Sequence, residues 1–219
     1  MARCGYSASD TLLNAGGELE DATLLDFWQW AYADLCDDEN KGIFAEWLVA
    51  RLIGITKTRR IGWANSDLIT PDGVRIEIKS SSYWQSWKLI DEFGVTRQQP
   101  LYPVSNETRI AFAGLKARDA VAVPDPSIPP EFKSHVYIFA FQREAEVERW
   151  NALDLSQWEF YVLPANRIRE LGWKSVSLKS LRVEHPPLSA SDLRPAALRV
   201  IDDVKREMGI PAHPSEARV

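Results

Sequence analysis

Histidine, cysteine and methionine are scarce in this chain: three, two and two copies among 219 residues. Cys4 and Cys36 stand in no metal or redox spacing, so two free thiols in a reducing cytoplasm are expected. His135, His185 and His213 are scattered, without the short intervals that set two imidazoles on one zinc ion. No apolar run approaches the ~18 residues of a membrane span, and the opening residues lack the pattern of a secretory leader. The expectation is therefore a cytoplasmic chain with no membrane contact. No glycine-rich phosphate loop joins a strand to a helix, which argues against an NTPase and against a nucleotide cofactor. Internal repeats and low-complexity tracts are absent too.

What is present suits one globular domain with a substantial core. Tryptophan is abundant, at nine copies. The net charge of −5 excludes a surface coated in basic residues, yet leaves room for a local basic groove beside an acidic site.

The most informative stretch runs from Ser66 to Ser81. Pro71-Asp72-Gly73 predicts a three-residue hairpin loop, a type I turn followed by glycine in the left-handed region. That loop pairs Thr70 with Val74, Leu68 with Ile76 and Asp67 with Glu77. Val74, Ile76 and Ile78 then share one face with Leu68, while Asp67, Glu77 and Lys79 share the other. Facing carboxylates on a sheet repel one another, and a hard divalent cation such as Mg²⁺ or Mn²⁺ would offset the cost. The simpler alternative is a solvated polar face.

Around this hairpin the chain divides into segments. Residues 1–40 read as a small, polar lead-in followed by a helix over Asp21–Leu35. Residues 41–83 carry a second helix, Lys41–Ile53 with Gly54 as its stop, and then the hairpin. The second helix is apolar over nearly its whole circumference, as a buried helix is. Glu46 falls among those apolar directions and needs an arginine partner, a metal or a proton. Lys57-Thr58-Arg59-Arg60 is the tightest basic cluster, either a solvated loop or a set of phosphate contacts. Gln85 follows Lys79 by six positions and either turns back toward the site or stays on the surface.

Residues 84–133 are proline-rich and irregular and read as an insertion, with a short strand over Thr108–Phe112. Residues 134–172 hold two apolar core strands, His135–Gln142 and Trp158–Leu163, and a short helix at Asn166–Leu171. Residues 173–219 end in a helix over Asp192–Met208 and a frayed tail.

Glu46 on its helix, Asp67 on one hairpin arm and Glu77-Ile78-Lys79 on the other, followed by core strands, resemble the PD-(D/E)xK nuclease superfamily over roughly residues 41–171. Pro71-Asp72 superficially supplies the "PD" but lies in the turn, so the register favours Asp67 over Asp72. The resemblance implies an α/β, restriction-endonuclease-like core: a central mixed sheet of about four to five strands flanked by helices, with an irregular insertion. It implies a metal-dependent nuclease, most simply acting on DNA and leaving 5′-phosphate and 3′-hydroxyl ends. Asp67, Glu77 and the backbone carbonyl of Ile78 would hold Mg²⁺ or Mn²⁺, and Glu46 would assist directly or through water. Lys79 would orient or deprotonate the attacking water, with Gln85 as a further catalytic candidate. Lys57, Arg59, Arg60 and Ser81 would touch the nucleic acid. Cutting both strands would call for a homodimer. Other readings are a catalytically silent module that binds nucleic acid or a protein, a metal hydrolase for another substrate, and a purely structural α/β domain.

Overall fold

A computed structural model of the chain describes residues 6–14, 17–55, 60, 64–83, 110–118, 127–146 and 148–210. Lys57, Arg59 and Gln85, and most of the 84–133 insertion, lie outside the described residues.

The centre is a mixed four-stranded sheet in the order β3 (Leu68–Ile69), β4 (Arg75–Ser82), β6 (Val136–Gln142), β7 (Trp158–Pro164). β4 and β6 run parallel, while β3 pairs antiparallel with β4 and β7 with β6. Every residue of β6 is buried, as expected for a strand covered on both faces. Helices flank the sheet, and the fold is α/β.

The two faces have separate cores. Val74, Ile76 and Ile78 join Val136, Ile138, Phe160 and Val162 on the first face. That face is covered by α2 (Asp38–Ile53) and α5 (Ala190–Met208). Tyr137, Phe139, Phe141, Tyr161 and Leu163 form the second face. It is covered by α3 (Ala165–Glu170), α4 (Leu178–Glu184) and the segment around β5 (Ala111–Phe112). Because side chains alternate across a strand, Glu77 and Lys79 of β4 belong to the second face.

Local chemistry explains the helix ends. The Asp37 carboxylate accepts hydrogen bonds from the Glu39 (3.0 Å) and Asn40 (3.2 Å) amides, and Gly54 closes α2 with φ of 88°. α2 thus starts three residues before the predicted Lys41. It is also less enclosed than its pattern implies, because the sheet and α5 cover only part of its circumference. Ala45, Leu48, Val49 and Ile53 are buried, but Trp47 remains 56% exposed.

The lead-in differs from the prediction more deeply. β1 (Thr11–Asn14) and β2 (Gly17–Thr23) pair antiparallel there, and α1 is shorter, Leu24–Tyr32. Thr23 caps α1, in a reciprocal capping box with Asp26. The sequence pattern does not mark α4 or β8 (Val176–Ser177), which pairs with β5. They are too short to carry a periodic pattern. Among the described residues, no helix is long and apolar enough to cross a membrane.

Candidate active site

The hairpin turn forms as its residues predict. Thr70 N–H donates to the Val74 carbonyl (2.9 Å), Gly73 N–H to the Thr70 carbonyl (2.9 Å), and Gly73 takes φ of 82°. Leu68 pairs with Ile76 and Ile69 with Arg75, in the predicted register.

The ladder ends there, one pair earlier than predicted. Asp67 N–H still donates to the Ile76 carbonyl (3.1 Å). Ile78 N–H then donates to the Asp67 carboxylate, Oδ2, at 2.6 Å. The Asp67 side chain thus stands in for a strand carbonyl and terminates β3. Backbone groups of successive strand residues face opposite edges, so the Ile78 carbonyl points to the same edge as its amide, toward Asp67.

Glu77 and Lys79 meet as neighbours on one strand face. Lys79 Nζ donates to Glu77 Oε1 (2.8 Å), and the buried Ser134 hydroxyl donates to Glu77 Oε2 (3.2 Å). Both carboxylate oxygens of Glu77 are therefore held. Behind them, buried Tyr137 donates its hydroxyl to the Leu115 carbonyl (2.8 Å). The loop so pinned brings Gly114, at φ of 67°, against Lys79: a Cβ there would lie 3.7 Å from Nζ.

The electrostatics single out Asp67. Its carboxyl is pushed up to about 7, chiefly by burial and then by the charge of Glu77, with a smaller push from Glu46. The Ile78 amide and Lys79 pull the other way without cancelling these effects. Near neutral pH Asp67 is thus a half-protonated acid beside a second acid.

Glu46 finds the arginine partner weighed as one alternative from the sequence. Arg60 Nε and a terminal nitrogen donate to its two oxygens at 2.6 and 3.1 Å. α2 covers the first face of the sheet and Glu77 extends from the second, so Glu46 and Glu77 approach Asp67 from different sides. Accordingly, among the described residues no three His, Cys, Asp or Glu side chains stand close enough to share a metal ion. Asp67 and Glu77, with the Ile78 carbonyl, suit a hard divalent cation chemically, as oxygen donors of which one is raised partly by repulsion from the other.

Asp72 lies elsewhere. It makes an ion pair with Lys205 of α5 at 2.5 Å, both side chains nearly buried, and so locks the hairpin turn to the C-terminal helix. Ser81 is only 5% exposed within β4, which removes it from any surface a nucleic acid could reach. Arg60 pairs with Glu46 and keeps its side chain half-exposed. Nothing local in the sequence distinguishes Ser134, Tyr137 or Gly114 as site residues. Only the parallel pairing of β4 with β6, with Glu77 opposite Tyr137, brings the first two to the site.

Compared with protein-family models and with curated proteins, the sequence matches none.

Proposed function

We propose that this chain is a metal-dependent nuclease that hydrolyses phosphodiester bonds in DNA on a restriction-endonuclease-like core. The observation that carries this reading is the Asp67–Glu77–Lys79 arrangement at the β3–β4 edge, where a raised carboxyl sits beside a second acid and a lysine. Asp67 and Glu77, with the Ile78 carbonyl, would hold Mg²⁺ or Mn²⁺. When bound, such an ion polarises the phosphate and acidifies a water molecule. The Ile78 amide fixes the direction of the Asp67 carboxylate, and Ser134 fixes that of Glu77. Lys79 supplies a cation beside the position where charge develops on the phosphate, and its ammonium orients the attacking water.

A second reading has its own support. Both oxygens of Glu46 are taken by Arg60, and Glu77 is bound to Lys79, which is how a silent nuclease-like module that only binds nucleic acid would look.

Supercoiled and linear DNA incubated with Mg²⁺, with Mn²⁺ and with chelator separate the two. Cleavage that needs the metal and disappears in Lys79→Ala supports the nuclease. DNA binding without cleavage under every condition supports the silent module. Sedimentation of the active species tests the homodimer expected for double-strand cutting.

A further inference from the structure

A second charged feature lies beside this site, in residues that the sequence pattern left within the insertion. Ala117 and Glu131 form an isolated antiparallel bridge, which sets Lys116 opposite Phe132. The Lys116 ammonium lies 5.0 Å from the centre of the Phe132 ring, and the Arg169 guanidinium, from α3, lies 5.3 Å from it. The two charges are therefore within about 10 Å of each other, no further than one Debye length at 0.1 M salt. Neither forms an ion pair among the described residues, and both are exposed. Phe132 fixes both cations through its π face but cannot neutralise them.

Further cations gather around these two, together with Glu131 and with Glu207, which lines the same pocket as Arg169 and accepts from Asn166. Arg75 donates to the Lys133 carbonyl (2.6 Å), which holds its guanidinium in the same neighbourhood. Burial, followed by the charges of Arg75 and Arg169, keeps the His135 imidazole below its ordinary range. Glu131, 67% exposed, forms an ion pair with Lys133 at 3.8 Å, loose enough to yield to a phosphate. Glu170, next to Arg169, is paired with Arg167. In a chain of net charge −5, cations gathered this way at one edge make a local positive field that attracts an anion.

Continuity with the candidate active site says which partner. Lys133 precedes Ser134, whose hydroxyl holds Glu77. Lys116 follows Leu115, whose carbonyl is held by Tyr137. Phe132 packs edge-on against that same Tyr137 ring, 5.9 Å between centres. The cations thus flank the acids without pairing with them, on the second face of the sheet. We propose that Lys116, Lys133 and Arg169, gathered around Phe132, form a track that binds the phosphodiester backbone of DNA and leads it to the Glu77–Lys79 side of the site. The track deepens the nuclease reading and rests on it.

The test is binding of a fluorescent DNA duplex by anisotropy, in chelator so that no cleavage occurs, across 50–200 mM salt. Each lost phosphate contact lowers the slope of log affinity against log salt by about 0.9. Lys116→Gln/Arg169→Gln should therefore lower it by about 1.8, so the affinity lost across that salt range shrinks about twelvefold relative to wild type. Arg194→Gln/Arg199→Gln removes the same charge from exposed positions of α5 on the opposite face, and its slope should match wild type. Circular dichroism melts confirm that each variant is folded, and Lys133→Gln alone gives a second, independent reduction. An unchanged slope in the track variants, while wild type still binds and cleaves DNA, overturns the track and leaves the nuclease reading standing. Wild type that neither binds nor cleaves DNA overturns both. Binding of phosphatidylserine vesicles or inorganic phosphate through these residues, with DNA binding unaffected, also overturns the track.

Discussion

Replacing Asp67 by asparagine separates the charge of this residue from its structural job. The asparagine amide oxygen still accepts the Ile78 N–H that closes β3, so the hairpin keeps its bond. What disappears is the half-buried Asp67 carboxylate, which is raised from the ordinary 3.8 to about 7. An acid whose folded-state pKa is raised binds its proton more tightly in the folded protein than in the unfolded chain. It therefore costs stability as pH rises from about 4 to 7, and the full penalty is present above 7. Three pK units correspond to about 4 kcal/mol as an upper bound, and partial solvent access reduces this to about 1–3 kcal/mol. For a chain of this length that is a gain of roughly 3–10 °C in Tm. Thermal melts in chelator should show Asp67→Asn more stable than wild type at pH 8, with the difference shrinking toward pH 5. The same variant should lose cleavage, because it lacks the acid that would hold the metal. Equal melting temperatures at pH 8, or a difference independent of pH, would falsify the electrostatic account of the site.

Other expectations concern individual groups. Asp72→Asn should retain cleavage but lose about 1–3 kcal/mol of stability, because it leaves the nearly buried Lys205 with weaker partners; urea melts and a plasmid assay together decide between Asp72 and Asp67 as the functional acid. Lys79→Ala should lower the cleavage rate by about 10²–10⁴ while its far-ultraviolet spectrum stays native. Ser134→Ala should raise the Mn²⁺ concentration needed for half-maximal rate by about tenfold, since Glu77 loses the hydroxyl that orients it, and Ser134→Thr should restore most of that loss. Chelator should stop cleavage by wild type, and added Mn²⁺ should restart it.

Much of the frame was legible because short-range rules decide it. Proline, aspartate and glycine at residues 71–73 dictate the turn, and the apolar alternation of Val74, Ile76 and Ile78 fixes the register on which Asp67 rather than Asp72 nears the acids. The unbroken apolar runs of β6 and β7 announce strands covered on both faces, and Gly54 and Gly209 close their helices where the periodicity stops. The tertiary structure decided the rest. Whether Glu46 would meet a metal or an arginine depended on which face of the sheet α2 covers, and that lies in the packing of α2 and α5, not in the helix itself. Ser134, Tyr137 and Gly114 reach the site only because β6 lies parallel beside β4 across a long connection. Lys116 and Arg169 meet on one phenylalanine ring although more than fifty residues separate them. Local pattern determines which side chains share a strand face; long-range pairing determines which charges meet, and with them the site's chemistry.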